Sequence, residues 1–490
     1  MFYSDWESVI GLEIHAQLLT RSKIFSPDSA SYGGADNEHV HPVSLGMPGT
    51  LPVLNKRSVE YSVRIGLALG CEINRRSVFA RKNYFYPDLA KGYQISQFEQ
   101  PLCLNGEVQF YVGDQLHKVK IERAHMEEDA GKSIHQGGAT LVNYNRAGVP
   151  LLEIVSSPDM RTAAEAAEYA RMVRLILRYI DVCDGNLEEG SMRCDCNVSV
   201  RKKGDSKLGT KVELKNLNSF RFIEKAIDYE IQRQIDTLEA GDLLVQETRL
   251  YDSVKNCTRS MRSKEEARDY RYFPDPDILP LDLDEAWVEE IGKSLPELPL
   301  DRLKRFHQKY GLPLDDAQGL IKERGLADFF EEVFKECGNP RAAANWVMVE
   351  LLREMRSSRV EVKDLPVSSK QMGELIKLVE SGKISGKMGK TVFHEMWKTS
   401  KDPKEIIKLR GMEQISDKGA IDKVIEEVLV NNQKQVEEYC FGKEKVFSFF
   451  VGQIMKITKG QANPKIVNRL LKDKLRGRLR ENPKKKLKEE

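Results

Sequence analysis

The feature of the chain that most constrains its fold is a change in residue pattern, marked by a run of prolines. Residues 273–300 contain five prolines, which lack the backbone N–H that helix interiors and central strands need. Before this run, β-branched residues alternate with Gly, Pro and Asn, which is typical of a sheet with turns. After it, Leu, Ala and charged residues prevail, which indicates helices. The chain must therefore combine a sheet-containing first part with a helical remainder, the α+β class.

Three parts of the first region predict strands. Residues 107–112 and 117–122 predict a hairpin, because Gly and Asp lie between them, and residues 211–217 predict a further strand. Residues 9–18 alternate as a half-buried strand does. The apolar face of this strand carries Ile10, Leu12, Ile14, Ala16 and Leu18.

Two helices have recognisable beginnings. Thr162 and Glu165 form a capping-box pattern, and Asn463 with Pro464 predicts an N-cap followed by a first helical residue. An apolar stripe follows each start. The first stripe is Tyr169, Val173, Ile176, Leu177 and Ile180; the second is Ile466, Val467, Leu470, Leu471 and Leu475.

The charge balance excludes a wholly basic or wholly acidic protein. The 490 residues include 77 Lys and Arg against 75 Asp and Glu, a net charge of +2. A local excess can still sit inside a balanced total. Residues 465–490 hold eleven Lys and Arg against four Asp and Glu, a net charge of +7. This stretch is a candidate RNA contact, and a solvated helix end is the alternative.

The composition also predicts the compartment. The uncharged stretch 39–55 is interrupted by Pro and Gly, so it cannot span a membrane, and the N-terminus lacks the basic start of a secretory signal. Eight cysteines are too few for a disulfide scaffold, which favours reduced thiols and a cytoplasmic protein. Cys194 and Cys196 have no second pair nearby, so a buried structural role is favoured over a metal site.

Two spots end like a phosphate-binding loop but do not begin like one. Met126 stands where the loop ending in Lys132 needs its first glycine, and Ile384 stands there for the loop ending in Lys390. Any ATP chemistry must therefore use another scaffold.

Three segments carry carboxylates in settings that suit catalysis. On a strand, Glu13 and His15 project from one face at about 7 Å, which suits metal binding, although a solvated sheet face is the alternative. Three acids, 127–129, follow His125, and a solvated turn is the alternative there. Glu153 lies in an apolar run, where a buried carboxylate needs a cation, a metal or a proton. Together these groups could hold Mg²⁺.

Two other segments suit nucleotide or RNA contacts. Residues 81–97 interleave aromatics with Arg, Lys, Asn and Gln, a mixture that can stack on bases or line a polar cavity. Arg193 and Lys215 are candidate phosphate contacts, and Asp195 and Asn197 could orient a nucleotide or a metal. Ordinary strand surface is the alternative for these four.

Nine motifs run from the start of the chain almost to its end: GLEIH (11–15), LPVLNK (51–56), RKNYFYPDLAKGYQISQ (81–97), HMEEDAGKS (125–133), GVPLLEIVSSPD (148–159), EEGSMRCD (188–195), ELKNLNSF (213–220), DYRYFPDPDILP (269–280) and VGQIMKITKGQANP (451–464). In these motifs and in their order the chain resembles one family, the B subunits of bacterial aspartyl/glutamyl-tRNA amidotransferases. The resemblance implies a kinase-like cradle domain at 1–292, a helical domain at 293–410 and a small helical tail domain at 411–490.

The resemblance also implies a reaction and partners. The chain would form a heterotrimer with an amidase subunit and a small third subunit. It would use ATP and Mg²⁺ to phosphorylate the side-chain carboxylate of misacylated Glu-tRNA(Gln), Asp-tRNA(Asn) or both, and ammonia channelled from the amidase would complete the amide. A non-catalytic tRNA-binding scaffold is the main alternative, and a stand-alone carboxylate–ammonia ligase is a weaker one.

Site residues follow by matching motif. Glu13, His15, Glu128 and Glu153 would form the catalytic and Mg²⁺ group, with Glu127 as second choice since adjacent strand residues face opposite ways. Lys82, Tyr84 and Tyr86 would line the ammonia channel. Arg146, Arg193, Asp195, Asn197 and Lys215 would contact the nucleotide or the acyl end. The basic tail, rather than a matching motif, makes Lys465, Arg469, Lys472 and Arg476 the candidate tRNA contacts.

One departure from the family concerns zinc. Many members carry two cysteine pairs near the N-terminus, but here the corresponding positions are Ile24–Pro27 and His41–Ser44, and the first cysteine is Cys71. We therefore predict no zinc at that place, and a loop held by other packing.

Overall fold

The computed structural model describes residues 5–261, 270–412, 417–458 and 461–481, with only the backbone of residues 465 and 479–481. The chain divides into two compact units, Met1–Arg302 and Leu303–Glu490. Our division into three domains remains a prediction.

The strands lie in the first unit. In chain order they are β1 (Trp6–Gln17), β2 (Glu72–Ile73), β3 (Arg76–Ser77), β4 (Phe79–Asn83), β5 (Tyr93–Gln97), β6 (Cys103–Val112), β7 (Gln115–Glu128), β8 (Lys132–Gln136), β9 (Ala139–Asn143), β10 (Pro150–Ser156), β11 (Met192–Lys202), β12 (Val212–Lys215), β13 (Thr248–Asp252), β14 (Cys257–Ser260), β15 (Phe273–Pro274) and β16 (Leu281–Asp282).

The helices are spread over both units. They are α1 (Lys56–Ala68), α2 (Ala163–Tyr179), α3 (Phe220–Glu239), α4 (Glu285–Lys293), α5 (Pro299–Gln308), α6 (Leu314–Leu320), α7 (Arg324–Cys337), α8 (Pro340–Asn345), α9 (Leu352–Ser358), α10 (Ser369–Glu380), α11 (Gly386–Thr399), α12 (Pro403–Arg410), α13 (Lys418–Asn431), α14 (Gln433–Cys440), α15 (Val446–Ile457) and α16 (Pro464–Glu481). A π-helical turn, Trp346–Leu351, joins α8 to α9, and Val362–Asp364 form a short 3₁₀ turn.

A mixed sheet dominates the first unit. Among the described residues it has nine strands, in the order β14-β13-β12-β11-β1-β10-β7-β6-β2. Its pairs are antiparallel except β12 with β13. The segment that begins at Phe79 is β4, which is the central strand of a smaller sheet with the order β15-β4-β5. The expected hairpin is confirmed as β6 and β7, with Gly113 at a positive φ of 58° in the turn.

Alternation gives the large sheet one apolar and one polar face. The predicted apolar residues of β1, and Leu18 directly after it, are all buried, and on β11 Cys194 and Cys196 share that face and are buried too. Helices α1, α2 and α3 pack against this face, each contributing an apolar stripe to one core. Burying each large apolar side chain stabilises the fold by about 1.5–3 kcal/mol. The helices thus leave the opposite, polar face for chemistry.

Helices are the regular elements that the described residues of the second unit form. The predicted start of α16 is confirmed, since the helix begins at Pro464 and Asn463 precedes it. Val467, Leu471 and Leu475 are fully buried against α13 and α15. The mixed sheet-and-helix class is thus as expected, whereas the likeness to a kinase cradle remains a prediction. None of the described helices has the length and apolar character to cross a membrane.

Candidate functional site

Four polar side chains lie in register across the centre of the sheet. On β1, His15 pairs with Arg193 of β11 on one side and with Glu153 of β10 on the other. Glu153 in turn pairs with His125 of β7. Because side chains at paired positions share a face, the strands bring together segments more than 100 residues apart.

His15, Glu127 and Glu153 form what we call the carboxylate cluster. Each offers one ligand atom, and these atoms lie within 4.8 Å of one another. His15 Nε2 lies 3.4 Å from Glu153 Oε2 and 3.7 Å from Glu127 Oε1. His125 Nε2 lies 3.5 Å from Glu153 Oε2 on the far side. The cluster therefore joins one imidazole to two buried carboxylates.

Burial and neighbouring charge set opposite pKa shifts in this group. Burial opposes a charged His15, but the hydrogen bond and charge of Glu153 raise its pKa to about 9. Burial lowers the pKa of His125 to about 4, so this ring is neutral at pH 7. Burial raises the pKa of Glu127, whereas the two imidazoles outweigh burial and lower the pKa of Glu153. At neutral pH, then, a charged and a neutral imidazole flank one carboxylate.

The donor set of the carboxylate cluster fits a divalent cation. Two carboxylates on rigid strands suit Mg²⁺, which keeps several of its waters. An imidazole nitrogen is acceptable to most divalent metals and would lose its proton on binding. Among the described residues, the carboxylate cluster is the only group of three or more potential metal ligands close enough together to bind one ion.

Three consecutive acids, Glu127 and Glu128 at the end of β7 and Asp129 directly after it, have three different sets of partners. Glu127 belongs to the carboxylate cluster, whereas Glu128 points away from it and pairs with Lys91. Glu128 Oε1 also accepts a hydrogen bond of 2.8 Å from the backbone N–H of Ile95. The structure therefore brings Glu127, our second choice, to His15 and Glu153, and leaves Glu128 outside. All three acids are buried, so they do not form a solvated turn.

Glu13 continues the polar face beside the carboxylate cluster. Its Oε1 accepts a hydrogen bond of 2.8 Å from Asn197, and burial, together with the charge of Glu153, raises its pKa. On the adjacent strands, Lys215 Nζ lies 2.8 Å from Asp195 and 2.9 Å from Glu213. The candidate nucleotide contacts of β11 and β12 thus lie on the same face as the cluster.

Lys82 borders the carboxylate cluster from the smaller sheet. Burial opposes its charge, but Glu127, Tyr272 and Glu153 outweigh this and keep its pKa above the usual value. Its Nζ lies over the ring of Tyr270, 5.1 Å from the centroid. It therefore remains an ammonium at neutral pH.

The two tyrosines expected to line a channel lie close to each other. The rings of Tyr84 and Tyr86 are 6.1 Å apart, and the hydroxyl of Tyr84 donates to Gln94 over 3.2 Å. Tyr84 also touches Tyr270, so the two rings form an aromatic wall on one side of the ammonium of Lys82.

Arg146 takes part in loop structure. It donates to the backbone carbonyls of Ala130 and Gly131 over 2.9 and 2.6 Å. Its Nε also lies 3.6 Å from Asp129. These contacts close the base of the β8–β9 hairpin and engage much of the guanidinium.

The expected tRNA contacts lie on α16. Arg469, Lys472 and Arg476 are exposed, and the side chain of Lys465 lies outside the described part. Two other cations of this helix are already paired, because Lys474 and Arg478 both contact Glu426 of α13. The exposed positive surface of α16 is therefore smaller than the number of its basic residues implies.

The segments 24–27 and 41–44, where many family members carry zinc cysteines, are held by an ion pair and by hydroxyl contacts. Lys23 Nζ lies 2.6 Å from Asp28, and its side chain is fully buried. Asp28 accepts hydrogen bonds from the hydroxyls of Ser26 and Ser44, which lie 3.2 Å from each other. These contacts link the two loop segments directly. The absence of zinc remains a prediction.

The sequence reasoning missed several partners of the site. Lys91 pairs with Glu128, and Asp129 binds Arg193; both lie in segments singled out from the sequence, but neither was assigned a role of its own. His125 was noted only as a neighbour of the acids. One signal was available: three consecutive acids, if buried, each need a cation or a proton to offset the cost of burial.

Comparisons with known proteins point to one family. The family model described as "GatB/GatE catalytic domain" matches residues 8–289, and the one described as "GatB domain" matches residues 328–475. The Bdellovibrio bacteriovorus protein, named as the B subunit of an aspartyl/glutamyl-tRNA(Asn/Gln) amidotransferase, is 59% identical over 472 residues, 96% of this chain and 99% of its own length. Proteins of the same name from Thermodesulfovibrio yellowstonii and Alkalilimnicola ehrlichii are each 54% identical, over 95% and 96% of this chain and 98% and 99% of their own lengths.

Proposed function

The chain belongs to the GatB family of tRNA amidotransferase B subunits, and from that premise we propose that it activates the side-chain carboxylate of Glu-tRNA(Gln), Asp-tRNA(Asn) or both. It is then one enzymatic part of a cytoplasmic heterotrimer with an amidase subunit and a small third subunit. The observation that carries the proposal is the carboxylate cluster on the polar face of the sheet.

The activation step is a phosphoryl transfer. A carboxylate oxygen of the aminoacyl group attacks the γ-phosphorus of ATP, ADP leaves, and an acyl phosphate forms. His15, Glu127 and Glu153 would hold Mg²⁺, which supplies charge neutralisation on the phosphates. Glu13 lies on the same face and would take part in that group.

Cations on neighbouring strands would bind the anionic groups. Arg193 and Lys215 lie on the polar face, and each is held by a carboxylate. Asp195 and Asn197 would orient the nucleotide or the acyl end between them. Fixed donors of this kind favour the transition state because they need no reorganisation during the reaction.

The second step replaces phosphate by ammonia. The nitrogen attacks the acyl carbon, phosphate leaves, and the amide of Gln-tRNA(Gln) or Asn-tRNA(Asn) forms. Lys82, Tyr84 and Tyr86 would line the end of an ammonia channel. Half-buried Tyr84 and Tyr270 support this role, because a site shielded from water protects the acyl phosphate from hydrolysis, and exposed Tyr86 would lie at the outer end of the channel.

The tail would hold the tRNA. Phosphate contacts from Arg469, Lys472 and Arg476 would add affinity without reading sequence, and Lys465 belongs to the same proposal. A net charge of +7 over residues 465–490 supports it.

The test uses the reconstituted heterotrimer with Glu153→Gln. ATP hydrolysis stimulated by misacylated tRNA should fall by at least about 100-fold, because the cluster loses a charged ligand. Glu107→Gln is the control, since this exposed carboxylate lies on an outer strand and pairs with Lys118. Full activity of Glu153→Gln with normal tRNA binding would favour the non-catalytic scaffold instead.

A further inference from the structure

Asp129 is a buried carboxylate that ties three strands together. The residue is only 4% exposed, and it lies just beyond the end of β7. Oδ1 accepts a hydrogen bond of 3.0 Å from Arg193 of β11, and Oδ2 accepts one of 2.8 Å from Gln17 of β1. Both partners, Gln17 and Arg193, project from the polar face of the sheet.

The backbone of Asp129 is held as firmly as its side chain. Its N–H donates to Val149 over 2.9 Å, and its carbonyl accepts from Gly148 over 2.9 Å. The N–H of Ala130 also donates to Oδ1 over 2.9 Å. A carboxylate fixed at both ends is a rigid anchor for whatever it binds.

Arg193 is the partner that reaches the reaction site. It is the cross-strand neighbour of His15, and its side chain is about one-third exposed. Within the described part of the chain, its hydrogen bond to Asp129 uses only Nη2. A guanidinium has five N–H donors, so the remaining ones can face the carboxylate cluster and the solvent.

We propose that Asp129 is a positioning residue that holds Arg193 so that its remaining donors bind the anionic phosphate or carboxylate of the substrate. This role rests on the proposed function. Without Asp129, Arg193 would be free to pair with Glu127 or Asp195, whose charges also act on it. The anchor therefore keeps a cation available to the substrate in the middle of an acidic face.

The experiment is a double-mutant cycle with Asp129→Asn and Arg193→Ala in the reconstituted heterotrimer. The measured quantity is kcat/KM for ATP in amide formation on misacylated tRNA. Asp129→Asn should lower it by between about tenfold and 100-fold, as expected for a misplaced catalytic group. In the Arg193→Ala background the same change should have an effect of less than about twofold.

A matched control separates positioning from general stability. Asp28→Asn removes another largely buried carboxylate of the same unit, with a side chain 10% exposed, whose partner Lys23 lies outside the proposed reaction group. It should lower the unfolding temperature but leave kcat/KM near the wild-type value. If Asp129→Asn does not assemble, Asp129→Glu keeps the charge, shifts it by one methylene, and carries the cycle in its place.

The outcomes are distinct. Equal losses from the Asp129 change in both backgrounds would overturn the positioning role and leave the proposed function standing. Loss of kcat/KM by Asp28→Asn as large as that of Asp129→Asn would also overturn it. No amide formation by the wild-type heterotrimer would overturn the proposed function and this role together.

Discussion

The carboxylate cluster and helix α16 use charge in opposite ways. In the cluster, the two carboxylates are buried and His15 is half-buried, and each group is fixed by a specific partner, as His15 is by Glu153 at 3.4 Å. On α16, Arg469, Lys472 and Arg476 are exposed, and salt can screen them. Geometry thus matters most in the first region, and net charge in the second.

The comparison explains why the two regions tolerate change differently. A buried charge that loses its partner is destabilising, because nothing then offsets the cost of removing it from water. A surface charge loses little, because exposed ion pairs contribute about 0–1 kcal/mol. Substitutions should therefore act on chemistry and stability in the cluster, and on salt-dependent affinity in the tail.

The largest expected effect separates the two adjacent acids of β7. Glu127→Gln should lower tRNA-stimulated ATP hydrolysis by on the order of 10²- to 10³-fold, because it removes a charged ligand of the cluster. Glu128→Gln should keep activity within about tenfold but destabilise the fold by about 3–5 kcal/mol, because it leaves Lys91 buried without its partner. Rates and thermal unfolding of both variants are the measurements. The opposite ranking of the two activities would return Glu128 to the reaction group.

A smaller effect is expected at the ammonium of Lys82. Lys82→Met should lower glutamine-dependent amide formation by about tenfold, or about 1.4 kcal/mol of transition-state free energy. ATP-dependent activation should fall much less. Lys82→Arg, which keeps the charge beside Glu127, is the control. Equal loss of activation and amidation would count against the channel role.

The tail should respond to salt. Replacing Arg469, Lys472 and Arg476 together by Ala should reduce the slope of log K against log salt for tRNA binding by about 2–3, since each phosphate contact contributes about 0.7–0.9. Lys474→Ala is the matched control, because Asp422 and Glu426 already neutralise Lys474. An unchanged slope for the triple variant would remove α16 as the tRNA contact.

The smallest effect concerns the exposed pairs of the tail. Lys474 and Arg478 lower the pKa of Glu426, so its contribution is present at neutral pH and is lost as the pH falls below 4.5 toward the lowered value. Glu426→Gln should therefore cost no more than about 1 kcal/mol at pH 7, and the difference from wild type should shrink near pH 4. Thermal unfolding at both pH values measures it. A loss at pH 7 as large as that of Glu128→Gln would break the contrast between the regions.

Local pattern was enough to predict many of the elements. The alternation of β1 and the cap of α2 follow from neighbouring residues alone: Thr162 accepts the hydrogen bond from Glu165 that the pattern indicates. The strand expected at 211–217 is shorter, Val212–Lys215, because Asn216 adopts a positive φ of 68° and turns the chain. That turn depends on a bond from its side chain to the carbonyl of Tyr251, which lies 35 residues away.

The candidate site was predictable only in part, because its partners come from distant segments. Glu153 was recognisable as a carboxylate in an apolar run, and it does lie in the carboxylate cluster. The choice between Glu127 and Glu128 could not be predicted, because both are buried. The cations that pair with them, Lys82 and Lys91, come from outside the central strands of the sheet. The periodicity of a strand predicts on which face of the sheet a side chain lies, but not which cation pairs with it.

The position of β1 also has a consequence for synthesis of the protein. This strand, Trp6–Gln17, leaves the ribosome well before its two neighbours, which begin at Pro150 and Met192. At about 5–20 residues per second, the first neighbour follows after roughly 7–27 s. During that interval an apolar strand with two open edges awaits its pairing, so the chain is most vulnerable to aggregation before its reaction site exists.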